Sequence, residues 1–435
     1  MLGIDFHILQ TLLLRGWSVI AGGVMVLFVP HWFDAVEQGY YYTFLSLIAV
    51  QIFFELGMNQ IIVQIVSHEA AHLEQAADGT LTGDRAGISR LASLTRLVTR
   101  WYQVAAALFF LVGGGAGVIF FLRQDAAMGG REIAIWLTLV LFTSLNLMLS
   151  PALAMIEGFG RVGDVARVRL AQSVLGYGAT WLALTLGAGL LAAPILAGMG
   201  ALCTGYWLAR HDRQIASLRR VRQAPGDAQV HWRSDVFPLQ WRIGLSWVCG
   251  YLILQLLVPM AFSHQGAVEA GRLGLTLTIF NSLLSIGLSW TNARLPTIAT
   301  HLARGERINA RQVLRGVIAR STGITALGSF VVLVLVAVLP DFMRDRFADT
   351  LTLFCMSLAV VVNCLIYGMA TFARAHKEEP LLVQSIVTAV IMVPAVYIGS
   401  YIGIGQMMMA FSIILTVVAL PWVTVIFRRY YKRED

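Results

Sequence analysis

Gln51, Glu55 and Asn59 recur at intervals of four inside an otherwise apolar stretch, so an uninterrupted α-helix carries all three on one face. An ionisable side chain in hydrocarbon costs at least about 2.5–3.5 kcal/mol, so a buried carboxylate there demands a reason. Glu55 stands roughly eight residues, on the order of 12 Å, from the nearer end of its stretch. Two chemistries fit: lining of a water-filled cavity that passes a polar cargo, or a stripe of interhelical hydrogen bonds that locks packing. A second stripe, Thr278, Asn281, Ser285, Ser289 and Asn292, also repeats at helical spacing. That face is too polar for lipid and must look at protein or water.

Three arginines add charge to these faces. Arg15 and Arg242 each lie about a turn inside an apolar stretch, and Arg272 lies at the opposite end of its own. The guanidinium fork stays charged and donates two parallel hydrogen bonds, which suits a phosphate; snorkelling anchors are the competing reading. Glu157 and Arg374 end two further stripes, Asn146-Ser150-Ala154-Glu157 and Asn363-Tyr367-Thr371-Arg374, and form a candidate gate. No G-x-x-x-x-G-K-[ST] pattern is present. The four cysteines, Cys203, Cys249, Cys355 and Cys364, lie in apolar runs without metal-ligand spacing. No cluster of His and acid suggests catalysis. The sequence therefore points to a non-enzymatic protein without metal or cofactor.

The elements that must position these residues are membrane spans. Hydrophobic residues make up 57% of the 435 and charged residues 13%, about half the charge of a soluble globule. We expect an all-α polytopic membrane protein with about twelve transmembrane helices, near 11–30, 41–64, 101–122, 133–155, 168–190, 193–209, 239–260, 271–293, 317–339, 350–372, 381–399 and 404–427. With the N and C termini cytoplasmic, all of the 32 Lys and Arg residues except Arg123, Arg131, Arg272, Arg344 and Arg346 fall on the cytoplasmic side. The net charge of +8 therefore marks topology, and no nucleic-acid surface is evident. Residues 85–100 read as an interfacial amphipathic helix.

The chain divides into a lobe at 1–209, a basic linker at 210–235 with a Pro225-Gly226 turn, a second lobe at 236–427 and a basic tail at 428–435. The lobes echo one another. Arg15 with Glu37-x-Gly39 is matched by Arg242 with Glu269-x-Gly271; Arg90, Arg96 and Arg100 are matched by Arg311, Arg315 and Arg320; Asn146 is matched by Asn363. Six spans per half is an even number, so the halves share one orientation about a pseudo-two-fold axis along the membrane normal.

The segment Glu37-Gln-Gly-Tyr-Tyr-Tyr-Thr-Phe, running into Phe54-Glu-Leu-Gly-Met-Asn-Gln and Ser67-His-Glu, with Ala154-Met-Ile-Glu-Gly-Phe-Gly-Arg161, resembles the polysaccharide exporters and O-antigen flippases of the multidrug/oligosaccharidyl-lipid/polysaccharide exporter superfamily. The resemblance implies translocation of an undecaprenyl-pyrophosphate-linked oligosaccharide across a bacterial inner membrane. It further implies alternating access coupled to an ion gradient. The partners it implies are this lipid-linked oligosaccharide, membrane lipids and, transiently, a polysaccharide polymerase. A drug/cation antiporter of the same superfamily and a membrane polymerase are the rival readings.

Overall fold

The computed structural model describes residues 6–71, 73–75, 81–124, 129–211, 213–221, 228–374 and 381–432. Its first part is α1 (Phe6–Trp32), α2 (Ala35–Ile48), α3 (Ile52–Glu55), α4 (Met58–Ala70), α5 (Arg85–Leu108), α6 (Gly114–Gln124), α7 (Gly130–Gly158), α8 (Val162–Thr185), α9 (Ala192–His211) and α10 (Arg213–Arg220). There follow α11 (Phe237–Leu254), α12 (Leu257–Gln265), α13 (Ala267–Ala303), α14 (Arg307–Val338), α15 (Asp341–Arg344), α16 (Thr350–Arg374), α17 (Leu382–Ile402), α18 (Ile404–Ile414) and α19 (Leu420–Lys432). The protein is an all-α polytopic membrane protein. One departure is a two-stranded antiparallel hairpin, Leu73–Gln75 with Leu81–Gly83, between α4 and α5.

Eight helical stretches are long and apolar enough to cross a bilayer, and nine when the bent pair Ala35–Glu55 and Met58–Ala70 counts as one. One of the eight, Gly244–Leu295, has 52 residues. At about 1.5 Å per residue that is far more than one crossing needs, and the chain turns within it at Gly266. Dividing that stretch and adding α1 and α8, of 27 and 24 residues, is what a twelve-span arrangement requires of this chain.

Two expectations need correction. The amphipathic segment 85–100 is not a separate interfacial helix: it runs on into the third span, so that Arg85–Gln124 is one helical stretch of 40 residues. Asp84 caps its start, accepting from the backbone N–H groups of Ala86 and Gly87, and no breaker intervenes before the membrane. Nor is the second span continuous, as described below. The Pro225-Gly226 turn lies outside the described residues.

The described chain forms two compact units, residues 1–21 with 47–248 and residues 22–46 with 249–435. The division passes through the interiors of α1, α2 and α11. In the first unit, Arg96 of α5 donates to the carbonyl of Val221 (2.9 Å), and Ser93 accepts from the N–H of Val230 (2.7 Å), which holds the chain beyond α10 on this helix. In the second unit, Arg311 of α14 donates to the carbonyl of Tyr431 (2.6 Å) and lies over its ring at 4.3 Å. An arginine in the echoed basic stretch of each half thus fastens later chain of the same unit: the residue after α10 in the first, and the end of α19 in the second.

Candidate functional site

In the first unit the second span breaks at its acidic residue. Glu55 closes α3, Leu56 (φ 48°) and Gly57 (φ 70°) are both left-handed, and α4 leaves at Met58 with a bend of 44°. Glycine adopts this conformation freely, whereas an L-residue such as Leu56 meets a cost of roughly 1–2 kcal/mol. Neighbours hold the break. A Cβ at Gly244 on α11 would come 3.2 Å from the Leu56 side chain, and the Phe54 ring meets Phe109 edge-on at 5.4 Å. Phe109 itself opens a π-helical turn, Phe109–Gly113, in the third span. Irregular backbone survives at membrane depth only inside protein or beside a wet cavity.

The break means that Gln51, Glu55 and Asn59 do not share one continuous helix face. Asn59, in the first turn of α4, is a packing node. Its Oδ1 accepts from the hydroxyl of the fully buried Tyr102 (2.9 Å), and its amide donates to Ser150 Oγ (3.3 Å), tying α4, α5 and α7 together. Glu55 and Gln51 are half-buried. The guanidinium of Arg169 on α8 acts on the Glu55 carboxylate through space, and Glu55 acts in turn on Tyr102. Arg169 is exposed, two turns inside its helix. Glu55, Arg169, Tyr102 and Asn59 thus form a mixed cluster of charge and hydrogen-bonding groups beside a broken helix.

In the second unit the polar stripe of α13 lies on a face that its own unit leaves open. Asn281, Ser285, Ser289 and Asn292 are all exposed. The opposite side is packed: Thr291 shares a hydrogen bond with Ser321 (3.1 Å), and Gly287 lies against Thr325 on α14. Thr278 and Ser289 turn their hydroxyls back to carbonyls four residues earlier, leaving the asparagine amides as the outward polar groups.

Arg272 is fastened at the start of α13. It pairs with Glu269 at 2.5 Å and donates through Nε to the carbonyl of Asp345 at 2.8 Å. Beside it α2 crosses α13 at close range. Gln38 donates to the carbonyls of Gly271 (2.9 Å) and Arg346 (3.1 Å), and a Cβ on Gly39 would overlap the backbone of Ala267. The side chains of Arg15, Arg242 and Arg374 lie outside the described residues. Glu157 is half-buried near the end of α7 and has no ion pair among the described residues.

Arg169 was missed by placing the fifth span at 168–190, which made it a helix-end charge. The structure starts α8 six residues upstream, where Arg161 pairs with Asp164 in the first turn at 2.8 Å. An acidic residue ahead of an apolar run is a helix-start signal, and it was available in the sequence. The break at Leu56-Gly57 had the glycine as its only mark.

No family model matches this sequence, and no curated protein matches it. Solved structures do. An inward-facing multidrug resistance MATE family transporter of the MOP superfamily aligns over 97% of this chain and 96% of its own, with TM-score 0.60 and 13% identity. The lipid II flippase MurJ in an inward closed conformation aligns over 98% and 90%, with TM-score 0.63 and 11% identity. The eukaryotic MATE transporter AtDTX14 aligns over 99% and 100%, with TM-score 0.56 and 14% identity. At these identities the likeness is one of fold, and it extends over essentially the whole chain: this multi-pass protein has the fold of the MATE transporters and MurJ.

Proposed function

We propose that the chain is a flippase that moves an undecaprenyl-pyrophosphate-linked oligosaccharide, such as an O-antigen repeat unit, across the bacterial inner membrane by alternating access coupled to an ion gradient. The observation that carries this reading is the break in the second span, where the half-buried Glu55 closes α3 and the exposed guanidinium of Arg169 on α8 acts on its carboxylate through space. A pyrophosphate is recognised by a fork of N–H donors, which an exposed arginine two turns inside α8 supplies. Arg15 and Arg242, on α1 and α11, are the further cations we assign to the head group. Gln51 and the α13 stripe with Asn281 and Asn292 supply donors and acceptors for sugar hydroxyls.

The fold likeness supports a transporter and includes a flippase of a lipid-linked cargo. Glu55 also favours a second reading, a drug/cation antiporter, because a carboxylate in the cavity attracts a cation. Proteoliposomes separate the two. Our reading expects reconstituted protein to expose lipid-linked oligosaccharide on the far leaflet when an ion gradient is applied. Transport of cationic drugs with no movement of the lipid-linked sugar would establish the antiporter instead.

A further inference from the structure

A cavity of about 660 Å³ opens in the second unit where the starts of three helices meet. Gln265 brings the end of α12 to it, Glu269 the start of α13, Thr350 that of α16, and Gly403-Ile404-Gly405-Gln406 that of α18. The cavity has two chemically distinct sides. Leu333, Val336 and Ala337 near the end of α14 and Leu353 and Phe354 on α16 make an apolar wall. That wall merges with the outer surface of the bundle, where Phe354 is 61% and neighbouring Val338 72% exposed. The other side is charged. Glu269 is neutralised by Arg272, but Arg344, Asp345 and Asp349 border the cavity with no ion pair among the described residues.

We infer that this cavity holds the head group of a zwitterionic, amine-bearing phospholipid, with its acyl chains lying along the α14–α16 wall. Three helix starts and Arg344 offer positive potential and donors to a phosphate. Asp345 and Asp349, the latter also accepting from the Thr352 hydroxyl, offer carboxylates to an ammonium group. An anionic head group would satisfy the first set and oppose the second. A quaternary amine would lack the N–H donors that the carboxylates accept. The volume lies within the range of sites that enclose a small ligand. The inference does not depend on what the protein transports.

The test uses the full chain in nanodiscs made from equal parts of phosphatidylethanolamine, phosphatidylcholine and phosphatidylglycerol. The protein is transferred to neutral detergent and the retained lipid is identified by native mass spectrometry. Phosphatidylethanolamine is expected in several-fold excess over each of the others. Asp345→Asn with Asp349→Asn should lower it to the phosphatidylcholine level, and Arg344→Gln should lower both together. Asp345→Glu should keep the preference, and Phe354→Ala should reduce all three alike without changing their ratio. Melting temperatures within a few degrees of the parent keep the variants comparable; if the double variant fails that check, Arg344→Gln and Asp345→Glu still decide. Equal retention of the three lipids, phosphatidylglycerol in excess, or an unchanged preference in the folded double variant overturns the inference.

Discussion

Gly39 and Gly271, the glycines of the two Glu-x-Gly echoes, lie against one another: a Cβ on Gly271 would stand 2.8 Å from the backbone nitrogen of Gly39. Both glycines belong to the second unit, where α2 crosses α13. Superposing helices of the first half on the second should bring Arg15, Glu37 and Asn146 onto Arg242, Glu269 and Asn363. An experimental structure in which the best superposition inverts the halves would end the repeat argument.

The same crossing gives a stability prediction. Gly39→Ala and Gly271→Ala each put a methyl group into backbone, so each should destabilise the protein by about 1–3 kcal/mol. Gly115→Ala, where nothing lies within 4 Å, should be neutral or stabilise by about 0.5–1 kcal/mol. Thermal melting followed by size-exclusion fluorescence reads all three. Equal melting temperatures would mean the helices cross more loosely than described.

Glu55 and Arg169 should act together in transport. Glu55→Gln and Arg169→Gln are each expected to lower the export rate at least about tenfold, roughly 1.4 kcal/mol. Because the Arg169 charge acts on the Glu55 carboxylate, the double variant should lose less than the product of the single losses. Arg169→Lys should recover part of the rate, since it restores charge without the fork. Strictly multiplicative losses at normal protein levels would show that the two work apart.

The break in the second span should resist straightening. Gly57→Ala places a Cβ in the left-handed region and is expected to cost about 1–2 kcal/mol. Gly244→Ala presses on Leu56 and should reproduce part of the effect from the facing helix. Hydrogen exchange at residues 52–60 checks both; unchanged protection in both variants would argue that the break is held elsewhere.

Acid should loosen the entry to α11. The His231 backbone N–H donates to Asp235 (2.9 Å) and holds its carboxyl below the usual carboxylate range, with the Ser234 hydroxyl helping. A carboxyl lowered on folding adds stability above its unfolded pKa, and that contribution fades as pH falls through the lower folded value. Protection factors of the amides at 231–236, taken relative to intrinsic exchange at each pH, should therefore fall below the ordinary carboxylate range in the parent. In Asp235→Asn they should be low and independent of pH. A flat profile in the parent would remove Asp235 from this role.

The class of fold was legible because lipid imposes one rule on every span: long apolar runs, with charge confined to their ends. The α13 stripe was legible for the same reason, since polar spacing of three and four has one meaning in a straight helix. The second span failed that logic. Spacing assigns Gln51, Glu55 and Asn59 to one face only while the helix persists, and two left-handed residues end it between Glu55 and Asn59. Gly39 and Gly271 read as marks of repetition, and their meeting in space could not be seen without the fold. The use of residues 22–46 in the second unit was hidden for a similar reason: nothing local in α1 says which neighbours its two ends will have.

That last feature bears on how the protein can be divided. Residues 22–46 reach the second unit from the first half of the chain, bringing the buried Gln38, Tyr40, Tyr41, Tyr42 and Phe44 with them. A cut between Val221 and Ala228 therefore yields two fragments, neither of which is a complete body. The carboxyl-terminal fragment lacks the helix that fills the groove around Gly271 and Gly274, and the amino-terminal one lacks residues 232–248. Each fragment alone leaves apolar surface that its missing segment would cover, and a membrane offers that surface no hydrogen-bond partners for the carbonyls Gln38 normally satisfies. Expressed together, the two have every interlocking piece that the intact chain has, so complementation in trans should succeed where either half by itself is degraded.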